Sequence, residues 1–199
     1  DNPIDAQMRG HQTPYSRVVI LAKDETGYGN LMRLVSAGYI EGLDEKPCVT
    51  YAQLESYAAG LIVLTGGMRS KINQFLLQQR EDDARQALER WVQLFGQENV
   101  YVELTQHGTA DEQTLLQQLV ALAKQVGVGY VATNDVHYIE QSHAAAHDAL
   151  LALQAQTIVD DPNRYRLERP EYYLKSPEQM VELFNEYPEA IQATQTIAD

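Results

Sequence analysis

Gly129-Tyr130-Val131-Ala132-Thr133-Asn134-Asp135-Val136-His137-Tyr138 opens as an apolar run and closes in a cluster of polar groups. Val131 and Ala132 read as a buried strand, with Gly127 and Gly129 punctuating its start. Side chains alternate across a strand, so this reading points Asp135 and His137 to one face. A carboxylate and an imidazole side by side at the end of a buried strand can ligate a metal or handle a proton. In an α/β fold, sites collect at the C-terminal ends of strands. The same residues also fit a strand leaving the core, with Asp and His solvated in a turn, because D-x-H is a short pattern.

Working outward, three more apolar runs read as buried strands: Val18 to Ala22, Leu61 to Thr65 and Val100 to Leu104. Helical spacing lies between them. Tyr28, Leu31, Met32, Leu34, Val35 and Tyr39 follow Asp24 or Thr26 as caps. Thr50 caps a short helix bearing Tyr51, Leu54 and Tyr57. Ser70 to Gln79, Glu81 to Phe95, Asp111 to Gln125 and Ser142 to Gln156 also read as helices, the last through Ala145, Ala149, Leu150 and Leu153. Tyr172 to Leu174 reads as extended. Ser176-Pro177 starts another helix, and Pro188 opens the last. Residues 1–16 read as an irregular lead-in. Strand–helix alternation predicts an α/β fold with mainly parallel strands, in one domain over 1–199.

Composition narrows the function. The chain has 199 residues, 44% hydrophobic and 22% charged, which is an ordinary globular balance. Its 28 acidic and 15 basic residues give a net charge of −13, unsuited to gripping a phosphate backbone. One cysteine, Cys48, excludes an internal disulfide and a cysteine zinc cage, and fits a reducing cytosol. No apolar run approaches the roughly 20 residues of a membrane span. The first ten residues resemble neither a signal nor a transit peptide. Starting at Asp1 rather than Met, the chain reads as a fragment.

A second chemical candidate ends the third strand, at Glu103-Leu104-Thr105-Gln106-His107. A glutamate in an apolar strand is costly unless it is paired, hydrogen-bonded or ligating. Gly66-Gly67-Met68-Arg69-Ser70, between strand and helix, reads as a tight turn whose amides can hold an anion. His143 and His147 lack the glutamate of a zincin motif and read as surface or packing residues. Nothing supports nucleophilic catalysis.

Several blocks go beyond generic pattern. Leu21 to Leu31, Gly60 to Gly67, Tyr101 to Leu104, Val131 to Tyr138, Asp160 to Arg164 and Tyr173 to Glu178 occur in family order. They resemble the PHP (polymerase and histidinol phosphatase) domain of bacterial DNA polymerase III alpha subunits, over residues 17–199. The resemblance implies a distorted (β/α)7 TIM-like barrel, here incomplete at its N-terminal end, with a metal site at the strand ends. It maps the family's D-x-H ligands onto Asp135 and His137, and places Glu103 and His107 beside them. The family's H-x-H motif is absent. Arg17 stands where the family often has His, and Gly67 where many members have Cys.

The resemblance further implies a segment of a replicative, cytoplasmic DNA polymerase that touches DNA through other domains. Its expected role is to stabilise the polymerase and dock a partner such as a proofreading exonuclease. The expected cofactor is Zn or Mn in the full-length protein and none in this segment. The alternative is an active metal-dependent phosphoesterase (3′-5′ exonuclease or pyrophosphatase) using Asp135 and His137.

Overall fold

The computed structural model describes residues 15–42 and 47–199, so most of the expected lead-in lies outside the described residues. Four strands make one sheet in the order β1-β2-β3-β4: β1 (Val19–Ala22), β2 (Leu61–Leu64), β3 (Val100–Leu104) and β4 (Gly129–Ala132). Helices α1 (Glu25–Ile40) and α2 (Tyr51–Ser56) join β1 to β2. Helices α3 (Lys71–Leu77) and α4 (Glu81–Phe95) lead to β3, and α5 (Ala110–Val126) leads to β4. Helices α6 (Ala144–Gln154), α7 (Pro177–Leu183) and α8 (Pro188–Ala198) follow.

The caps formed where the sequence placed them. Asp24 accepts from the Gly27 N–H at 2.7 Å and starts α1. Thr50, Ser70 and Ser176 cap α2, α3 and α7 with their hydroxyls. Pro177 and Pro188 sit in the first turns of α7 and α8, where no backbone N–H is needed.

Strands β2, β3 and β4 run parallel, as helical crossovers require, but β1 runs antiparallel to β2. The cause is local. The chain leaves β1 and re-enters β2 at the same end of the sheet, where the Lys23 N–H donates to the Gly60 carbonyl at 2.8 Å. Gly27 of α1 packs directly on Gly60: a Cβ on Gly27 would lie 1.7 Å from that carbonyl oxygen. Only a residue without a side chain lets the helix start so close to the strand. Among the described residues β1 and β4 are the two edges of the sheet.

Alternation splits the core in two. Leu61, Val63, Val100, Val102 and Leu104 face helices α2 to α5. Ile62, Leu64 and Val131 face the other way, with Ala193 and Ile197 of α8 packed against them. One expected stripe is inverted. In α6, Ala145, Ala149, Leu150 and Leu153 are exposed, and Ala152 is the buried residue. An alanine-rich helix is apolar nearly all round, so spacing alone does not choose its inner face.

Candidate functional site

Glu103, on β3, is 8% exposed and answers the question its sequence posed. One carboxylate oxygen accepts the Gly66 N–H at 2.9 Å, the other the Thr133 hydroxyl at 2.6 Å. It thereby ties together the ends of β2, β3 and β4. Gly66 holds φ +93°, and a Cβ there would lie 2.1 Å from the Arg17 carbonyl oxygen. The tight turn therefore depends on glycine at that position.

His107 lies beyond the end of β3 and is brought inward by the turn at Gly108 (φ +79°). Its ring is buried. The His107 N–H donates to Glu112 at 2.7 Å, and Nδ1 lies 2.6 Å from the other Glu112 oxygen. Nε2 lies 3.3 Å from the Asn134 carbonyl oxygen. Tyr172 stacks on the ring at 4.0 Å between centroids, 7° from parallel. Burial favours the protonated form of Glu112, yet the His107 ring and backbone hydrogen bonds prevail and hold its pKa at about 2. Glu112 is thus an anion acting as acceptor. Burial, then the nearby carboxylate of Glu112, pushes the Tyr172 hydroxyl up.

Asp135 and His137 do come together, but not by strand alternation. Strand β4 stops at Ala132, and Asp135 sits at φ +26° in the turn beyond it. That turn places Asp135 Oδ2 3.5 Å from His137 Nε2. Arg17 Nη1 lies 3.5 Å from the other Asp135 oxygen. The His137 N–H donates to the Tyr172 carbonyl at 2.8 Å. Together these groups line one cavity of about 140 Å³, whose remaining wall includes Gly67, Arg69, Tyr165 and Leu167.

Sequence reading missed three residues of the cavity wall, Glu112, Tyr165 and Tyr172, and one that lies beside it, His147. Glu112 carried a signal, the Thr109-x-x-Glu112 capping box that starts α5. His147, expected to be a surface or packing residue, has its ring 5.2 Å from that of His137. Burial, then the neighbouring His137, pushes its pKa down. His143, by contrast, is exposed. Tyr165 and Tyr172 carried no signal, because they reach the cavity from a segment without helix or strand.

A tightly held transition metal takes three or four convergent N, O or S donors. Among the described residues no three His, Cys, Asp or Glu side chains converge in that way. Glu103 and His107 already use their polar atoms on protein partners, which leaves Asp135 and His137 as a facing pair. The residues described do not by themselves fit a closed metal site.

A parallel β2-β3-β4 sheet with carboxylates and histidines gathered at its strand ends defines an α/β chain with a polar rim cavity. The family profile of the PHP domain matches residues 4–107, and the chain belongs to that family. It is similar to DNA polymerase III subunit alpha of Thermus aquaticus, 42% identical over 172 residues, covering 86% of this chain and 14% of that protein. It is 41% identical over 184 residues to the same subunit of Treponema pallidum, covering 92% of this chain and 16% of that protein. The Pseudomonas aeruginosa subunit is 35% identical over 191 residues, covering 96% and 16%. The chain spans only about 15% of the length of these relatives.

Proposed function

We propose that the chain is the PHP region of a replicative DNA polymerase III alpha subunit, and that it braces the polymerase and docks a partner subunit there. The carrying observation is that each carboxylate lining the cavity already has a protein donor. Glu103 has Gly66 and Thr133, Glu112 has His107, and Asp135 has Arg17. Arg17 brings to Asp135 the positive charge that an ion would otherwise supply. A partner such as a proofreading exonuclease suits a surface of net charge −13 better than DNA does, so DNA contact falls to other domains.

A core cluster running from Leu34 to Ala190 supports reading residues 1–199 as one domain. The parallel β2-β3-β4 unit suits a place within a (β/α)7 barrel. Among the described residues no helix is long and apolar enough to cross a membrane. On this reading the chain works in the cytoplasm because replication does.

Elemental analysis of the full-length protein tests this reading. On the bracing reading the site is degenerate. In place of the Zn or Mn that the family resemblance implies, the expected result is less than one tightly held ion per chain, with Asp135→Ala leaving the fold and the polymerase activity intact. One or more ions per chain, lost in Asp135→Ala, would instead favour a metal-dependent phosphoesterase with Asp135 and His137 as ligands. Asp135→Asn serves as a control for backbone strain, since Asn tolerates a positive φ.

A further inference from the structure

Residues 155–176 contain no helix or regular strand, yet they form one wall of the cavity through Tyr165, Leu167 and Tyr172. Apart from the bridge of Tyr173 to Tyr138 at its far end, the segment lacks ladder hydrogen bonds, so something else must fix residues 155–170. Within residues 155–170, Arg164 is the one buried charged residue, at 6% exposure. A buried guanidinium demands partners for its five N–H donors. Two go back to the segment's own backbone: Nε to the Val159 carbonyl at 2.9 Å and Nη1 to that of Tyr165 at 3.2 Å. The fork then closes on Asp148 of α6, through Nη1 at 2.7 Å and through Nη2. The Arg164 guanidinium in turn holds the Asp148 carboxyl below its ordinary range.

The far end of the segment is fixed separately. The Tyr172 carbonyl accepts from the N–H groups of His137 and Tyr138, and the Leu174 N–H donates to Tyr138. Asn134 donates to the Tyr173 carbonyl at 2.7 Å. The wall therefore has two halves with different anchors. Tyr172 is held by the β4 turn, whereas Tyr165 and Leu167 depend on Arg164.

We propose that Arg164 is a positioning residue: with Asp148 it latches residues 155–170 across the cavity, and releasing the latch opens the cavity while the domain stays folded. Asp148 follows His147 in sequence, so one turn of α6 sets both the His137 contact and the latch. The inference holds whether the cavity is degenerate or catalytic.

The test compares full-length wild type with Arg164→Lys and Asp148→Asn. Lysine keeps the charge but loses the two-pronged fork, and asparagine keeps the shape but loses the charge. Hydrogen exchange should quicken about tenfold in residues 155–170, the scale of losing a charge-assisted pair from a local opening unit. Hydroxyl-radical labelling of Tyr165 and Leu167 should rise with it. Labelling of Tyr172 and exchange in β2 and β3 should not change. The proposal is overturned if 155–170 exchange as in wild type in both variants. It is equally overturned if β2, β3 and Tyr172 loosen along with Tyr165, because Arg164 would then support the whole fold and not a latch.

Discussion

The Glu112 carboxylate grips His107 twice, taking its backbone N–H on one oxygen and facing its ring Nδ1 with the other. The same carboxylate accepts from the Thr109 hydroxyl at 3.0 Å, as part of the cap of α5. A helix start and a cavity residue are thus held by one buried anion. This arrangement pins the ring that Tyr172 stacks on, and so joins α5 to the wall of the cavity.

That anion predicts an acid limb to stability. Glu112 has an ordinary pKa of 4.5 and a folded value of about 2. A depressed folded value means its contribution is complete above pH 4.5 and is lost as pH falls toward 2. Glu112→Gln turns an amide NH2 toward the donors of His107 and Thr109 and should cost on the order of 3 kcal/mol at neutral pH. Urea unfolding from pH 7 to pH 2.5 should show the wild-type advantage over Glu112→Gln shrinking below pH 4.5. A constant difference across that range would contradict the assignment.

Two glycines two positions apart in α1 should respond oppositely to the same change. Gly27 lies against the Gly60 carbonyl, with no flexible side chain to yield, so Gly27→Ala should cost about 3 kcal/mol. Gly29 sits in the same helix, and a Cβ there meets only the tip of Arg33 at 3.7 Å. Gly29→Ala should stabilise by about 0.5–1 kcal/mol, from helix propensity alone. Denaturation midpoints of the two variants check both signs.

Much of the fold was legible because its signals are local. The four apolar runs became strands, and Thr50, Ser70, Ser176 and Pro188 marked helix starts. The direction of β1 was not legible, since it depends on the meeting of Gly27 with Gly60, 33 positions apart in the chain. Local spacing carries no information about such a contact.

The site was legible in its residues more than in its geometry. Asp135, His137, Glu103 and His107 all line one cavity. Strand alternation accounts only for Glu103. The other three arrive through turns at Asp135 and Gly108, where positive φ values redirect the chain. Tyr172 was hidden because residues 155–176 meet the cavity only by tertiary packing, and His147 because only tertiary packing brings its ring beside that of His137.

Thr133 provides a test of the strand-end network. Its hydroxyl donates to Glu103 at 2.6 Å, and Glu103 is buried. Thr133→Val keeps the shape and removes the donor, leaving a buried carboxylate oxygen without it. The expected cost is about 1–3 kcal/mol. Thr133→Ser keeps the hydroxyl and should recover most of that loss. Equal losses for Val and Ser in urea unfolding would show that methyl packing, not the hydrogen bond, is what matters there.

The inverted stripe of α6 makes the last prediction. If Leu150 and Leu153 were core residues, replacing either with serine would cost several kcal/mol. They are instead 61% and 73% exposed, so Leu150→Ser and Leu153→Ser should each change stability by less than about 0.5 kcal/mol. Ala152 is 2% exposed, and Ala152→Leu forces a larger side chain into a filled space, at a cost of about 1–3 kcal/mol. Thermal unfolding of the three variants distinguishes the faces directly. A large loss at Leu153 with tolerance at Ala152 would turn the helix over, and would carry His147 away from His137 and Asp148 away from Arg164.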